Sequence, residues 1–118
     1  MPKILVVEDE PNLLRLYREE LEDEGYQVLT AQDGEEALKQ AKDVLPDLVV
    51  LDIRIGKVEG LDVLQQIKSQ NQNLPVILNS AYETYRADFS TWMADAYILK
   101  SSNLTELKDR IRELLQLD

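Results

Sequence analysis

Short apolar runs recur along this chain at roughly two-dozen-residue intervals, the spacing of strand–helix units. They occupy residues 4–7, 27–30, 48–51, 76–78 and 96–99, and longer stretches with helical periodicity separate them. Leu48-Val49-Val50-Leu51 is continuous rather than alternating, which marks a strand covered on both faces. Five strand–helix repeats predict an α/β fold: a five-stranded parallel sheet with helices on both sides. Right-handed crossovers leave few windings. The order 2-1-3-4-5, that of a flavodoxin-like (βα)5 three-layer sandwich, is the expected one. It makes the first and third strands neighbours at the topological switch point.

The helical stretches carry their own punctuation. The first has Leu13, Leu14, Tyr17 and Leu21 on one stripe, with Pro11 in its first turn and Gly25 just past its end. The second opens at Asp33 with Glu36 three residues on, the pattern of a capping box. The third carries Leu61, Leu64 and Ile67 or Lys68. The fifth carries Leu104, Leu107, Ile111 and Leu114, with Asn103 and Glu106 placed to cap it. A fourth helix is expected near residues 83–94, where Tyr85, Phe89, Trp92 and Met93 form an aromatic stripe.

The 118 residues suit one domain spanning 1–118. Cysteine and histidine are both absent. That excludes disulfides and thiolate metal sites, and it removes the commonest general base and transition-metal ligand. The remaining carboxylate, hydroxyl and lysine chemistry favours hard cations such as Mg²⁺. A net charge of −10 argues against direct nucleic-acid binding. No apolar stretch approaches the ~20 residues a membrane helix needs. Met1-Pro2-Lys3 leads straight into the first run without a signal-peptide pattern, so a cytoplasmic protein is expected.

Asp52 closes the third run, and Glu8 and Asp9 follow the first, Ile4-Leu5-Val6-Val7. Three acids at neighbouring strand ends repel one another and call for a cation. Ser80 ends the fourth strand and Lys100 the fifth, so parallel strands bring all of them to one edge of the sheet. A phosphoryl group on Asp52 would add negative charge beside Glu8 and Asp9. Mg²⁺ held by Asp9 and Asp52 would offset it. Lys100 could pair with one phosphoryl oxygen and the Ser80 hydroxyl could donate to another. Each group then has a separate electrostatic task in phosphoryl transfer.

From Lys3 to Leu115 the chain resembles the receiver domain of two-component response regulators, in the chemotaxis-regulator manner. The resemblance rests on Ile4-Leu5-Val6-Val7-Glu8-Asp9-Glu10-Pro11, Pro46-Asp47-Leu48-Val49-Val50-Leu51-Asp52, Gly60-Leu61-Asp62-Val63-Leu64, Asn79-Ser80-Ala81 and Ala96-Tyr97-Ile98-Leu99-Lys100. It implies that Asp52 accepts phosphate from a sensor histidine kinase or phosphotransfer protein. It implies that Glu8 and Asp9 organise Mg²⁺ with Asp52 and the backbone carbonyl of Arg54. It further implies that Ser80 and Tyr97 couple phosphorylation to a face built from the fourth helix, fifth strand and fifth helix. That face would signal to an output domain or downstream protein, and homodimerisation stays open. Such a domain is a phosphoacceptor, with at most intrinsic phosphotransfer and autodephosphorylation, and is not an enzyme in its own right.

Two positions depart from the family. Ser101 follows Lys100 where the family usually has proline with a cis bond; a non-proline cis bond costs ~3 kcal/mol. Ile55-Gly56-Lys57 replaces Met-Pro-Gly, loosening that loop. These keep a second reading open, a pseudo-receiver that binds protein without phosphate switching. An aspartyl-phosphate hydrolase would need an acid where Arg54 stands. A flavodoxin-like electron carrier would need a phosphate loop where Glu8-Asp9-Glu10 would repel one.

Overall fold

The computed structural model describes residues 1–52, 54–55, 58–80, 94–100 and 103–116, with the side chains of 54–61 and 80 outside that set. In chain order the elements are β1 (Lys3–Val7), α1 (Pro11–Asp23), β2 (Gln27–Ala31), α2 (Gly34–Asp43), β3 (Leu48–Asp52), β4 (Arg54–Ile55), β5 (Val58–Glu59), α3 (Gly60–Gln70), β6 (Val76–Ser80), β7 (Ala96–Leu99) and α4 (Thr105–Leu114). The predicted fourth helix near 83–94, with Phe89 and Trp92, lies outside the described residues apart from Ala94. Among the described residues no helix is long and apolar enough to cross a membrane.

The main sheet runs β2-β1-β3-β6-β7, the expected 2-1-3-4-5 order counted by its five strands, and every pairing in it is parallel. The short antiparallel hairpin β4–β5, pairing Arg54 with Glu59 and Ile55 with Val58, was not expected. Two-residue strands carry too little pattern to be read from sequence.

The sheet divides the core in two. On one face Leu5, Val7, Val49, Leu51, Val76 and Leu78 pack against α2 and α3. On the other Ile4, Val6, Leu48, Val50, Ile77 and Ile98 pack against α1 and α4. All five residues of β3 are buried, as a central strand under two helical layers must be. Each buried leucine or valine contributes roughly 1.5–3 kcal/mol.

The helix ends follow local chemistry. Glu10 is the N-cap of α1, accepting from the backbone N–H of Asn12 and Leu13 at 3.2 and 2.9 Å. Asp33 caps α2 by accepting from Glu36 N at 2.7 Å, and Glu36 reaches back to Gln32 N at 3.1 Å. At α4 the side chain of Asn103 accepts from Thr105 N at 2.9 Å. Leu104 holds the cap position itself and supplies no side-chain bond.

The end of α1 is a Schellman turn. Tyr26 N donates to Leu21 O and Gly25 N donates to Glu22 O, which requires φ +93° at Gly25. A methyl group there would meet nothing within 4 Å. Gly25→Ala should therefore cost about 1 kcal/mol from backbone conformation alone. Urea unfolding should show a lower midpoint with an unchanged m-value. An unchanged midpoint would mean that the turn tolerates alanine.

Candidate functional site

Strand pleating decides which side chains meet at the carboxyl edge of the sheet. Val7 pairs with Leu51, so Glu8 lies level with Asp52, and Asp52 pairs with Asn79. Continuing the alternation of the two core clusters puts Glu8, Asp52 and Asn79 on the α1/α4 face. Carboxylate oxygens of Glu8, Asp9 and Asp52 lie within 4.8 Å of one another. Glu8 and Asp52 are buried and Asp9 is exposed.

Lys100, immediately after β7, joins them. Its Nζ lies 2.7 Å from Glu8 Oε2 and 3.1 Å from Asp52 Oδ2. Two buried carboxylates thus share one ammonium. Glu8 also accepts from Glu10 N at 3.3 Å. Burial pushes the Glu8 carboxyl up to about 7; Lys100 opposes that shift and the Asp52 charge adds to it. For Lys100, burial acts to lower the pKa, but the Glu8 hydrogen bond and the Asp52 and Glu8 charges outweigh it and leave it raised. The cluster is therefore electrostatically tight. It offers hard oxygen donors, one of them exposed, where a divalent cation would relieve the repulsion. In the donor chemistry of these carboxylates the site fits Mg²⁺.

The structure brings Glu8, Asp9, Asp52 and Lys100 together as expected. Tyr97 lies on the opposite face, partly buried against the α2/α3 core cluster. Ser80 ends β6, and its side chain is outside the described residues. Arg54 begins β4; its backbone carbonyl enters no described contact with the acids. The Lys100–Ser101 bond falls outside the described residues.

One buried polar pair escaped the sequence reading. Asn79 Nδ2 donates to the Tyr17 hydroxyl at 2.9 Å. Asn79 is buried, as is Tyr17. A signal was present: an amide interrupts the apolar run Val76-Ile77-Leu78. Tyr17 gave none, because it sits on the core stripe of α1 like any apolar residue.

Comparison with known proteins adds a family. The chain matches the model of the response regulator receiver domain over residues 4–112. It is 37% identical over 119 residues to the alkaline phosphatase synthesis transcriptional regulatory protein PhoP of Bacillus subtilis, covering 97% of this chain and 48% of that protein. It is 41% identical over 118 residues to the response regulator ArlR of Staphylococcus saprophyticus, covering 98% of this chain and 53% of that one. The chain therefore spans about half the length of the curated relatives it matches. Among solved structures it resembles the response regulator TrrA of Thermotoga maritima in complex with Mg²⁺–BeF, with TM-score 0.94, 46% identity, and 97% and 99% of the two chains covered. A second structure holds TrrA in complex with the histidine kinase ThkA, with TM-score 0.92, 47% identity, and 98% and 99% covered.

The raised Glu8 pKa makes metal-free stability depend on pH. The folded state binds the Glu8 proton more tightly than the unfolded chain does. This contribution is present in full below the ordinary value of 4.5 and is lost as pH rises through about 7. The difference approaches roughly 3 kcal/mol. In EDTA, the stability of the native protein relative to Glu8→Gln should fall between these pH values in urea titrations. A difference that stays flat across the window would contradict the assignment.

Proposed function

This chain belongs to the response regulator receiver family, and from that premise we propose that residues 1–118 form one receiver that accepts a phosphoryl group on Asp52. The observation that carries the reading is the Lys100 ammonium bridging Glu8 and Asp52 beside Asp9. A carboxylate oxygen of Asp52 attacks phosphorus in a donor phosphohistidine. The P–N bond breaks, its electron pair stays with the imidazole nitrogen, and an acyl phosphate forms. Lys100 pairs with a phosphoryl oxygen, and the Ser80 hydroxyl donates to another. Glu8, Asp9, Asp52 and the Arg54 backbone carbonyl would hold Mg²⁺, which when bound offsets charge on the transferring group.

The donor is a sensor histidine kinase or phosphotransfer protein; the structure of TrrA with a histidine kinase supports this by similarity. Tyr97 and Ser80 relay the modified state to the face made by the expected fourth helix near residues 83–94, which lies outside the described residues apart from Ala94, together with β7 and α4. An output domain or a downstream protein reads that face in the cytoplasm, and a homodimer is a further arrangement it could serve. The chain acts as a signalling acceptor rather than a stand-alone enzyme.

Acetyl phosphate tests the acceptor. With Mg²⁺ it should add one phosphoryl group by mass spectrometry, with acetate leaving as the P–O bond breaks, and Asp52→Asn should add none. Lys100→Ala should slow labelling on the order of tenfold, the loss of a charge-assisted hydrogen bond. Unmodified native protein would favour a pseudo-receiver that only binds protein.

A further inference from the structure

Lys100 reaches its partners by a route that the sheet constrains. The lanes run β1, β3, β6, β7, with adjacent strands about 4.8 Å apart. Lys100 follows β7, yet its ammonium touches Asp52 on β3 and Glu8 just after β1. Its four-carbon stem must therefore cross the lane of β6 on the α1/α4 face. Asn79 occupies that lane and that face, paired with Asp52 on one side and with Ile98 on the other.

An amide is an expensive choice for that position. Asn79 is only 3% exposed, and burying an amide is costly unless it is hydrogen-bonded. Ile77, one pleat below, fills the same face with hydrocarbon. The bond that satisfies Asn79 comes from another layer, the Tyr17 hydroxyl of α1 at 2.9 Å. Burial raises the Tyr17 hydroxyl pKa; the Asn79 hydrogen bond and then the Lys100 charge draw it down, while Glu8 and Asp52 push it up. The hydroxyl thus lies in the field of all three charged groups.

We propose that the Asn79–Tyr17 hydrogen bond is the floor of the Lys100 track, a pair of positioning residues that hold the ammonium over Asp52. Asn79 touches neither carboxylate in the described contacts and acts through Lys100. The bond fixes the amide toward α1, so the stem lies across a defined, unobstructed surface. A leucine at 79 would stand free to rotate into that path and would leave the Tyr17 hydroxyl without its donor. The effect on phosphorylation rests on Asp52 being the acceptor; the effect on the lysine itself does not.

Two readouts separate these claims. The first is the NMR signal of the Lys100 ε-methylene in ¹³C-lysine-labelled protein, assigned with Lys100→Ala. Native protein should show a dispersed, ordered signal, and Asn79→Leu should move it toward that of an exposed lysine. The second is the acetyl phosphate labelling rate. Asn79→Leu should slow it about three- to tenfold, the range for one lost hydrogen bond, but less than about twofold in a Lys100→Ala background. Tyr17→Phe removes a single oxygen and keeps the ring. It should give the same pattern with a smaller loss, and it secures the test if Asn79→Leu does not fold. Unchanged Lys100 signals in the folded variants, or equal fold losses with and without Lys100, would overturn the proposal. If native protein takes no phosphate, the acceptor reading fails while the Lys100 signal still decides the floor.

Discussion

Two buried carboxylates from neighbouring strands are held by one ammonium from the far side of the sheet. Burial and the neighbouring Asp52 charge push Glu8 toward its neutral form, and the Lys100 contacts at 2.7 and 3.1 Å counter that push. The strand order makes this arrangement possible. Only a sheet in which β1 adjoins β3 sets Glu8 level with Asp52, and only parallel pairing through β6 to β7 delivers Lys100 to the same edge. The apolar strands below serve as a rigid mount for three charges that repel or attract over a few ångströms.

The edge strand that carries Lys100 is itself fastened. Lys68 at the end of α3 donates to Leu74 O at 2.9 Å and pairs with Asp95 at 2.8 Å. Asp95 accepts in turn from Val76 N at 2.8 Å. This partly exposed junction ties the entry to β6 and the entry to β7 to one helix end. The ion pairs between α1 and α4, Lys108–Glu20 and Arg112–Glu24, are more exposed and contribute correspondingly less.

Much of this was legible in the sequence because two periodicities speak plainly. Continuous apolar runs identified the five main strands, and i, i+4 stripes identified the helices around them. Once the strands are parallel, a polar residue at the end of each run must lie at one rim, so Glu8, Asp9, Asp52 and Lys100 group together from the sequence alone. What stayed hidden depends on tertiary contact. The Asn79–Tyr17 bond joins residues on different layers, and Tyr17 is indistinguishable from a core residue by spacing alone. The hairpin β4–β5 is too short to carry a pattern. The cap at Glu10 is likewise a matter of contact, because its side chain reaches two backbone N–H groups.

In this account Lys100 occupies, in the metal-free protein, part of the electrostatic role that a divalent cation would take over. Calorimetric titration of Mg²⁺ into native protein and into Lys100→Ala tests that directly. Removing the ammonium leaves Glu8 and Asp52 without their shared partner, so Mg²⁺ should bind Lys100→Ala severalfold more tightly than native protein. Equal or weaker binding to the variant would show that Lys100 and the cation do not compete for the same carboxylates, and would contradict the account.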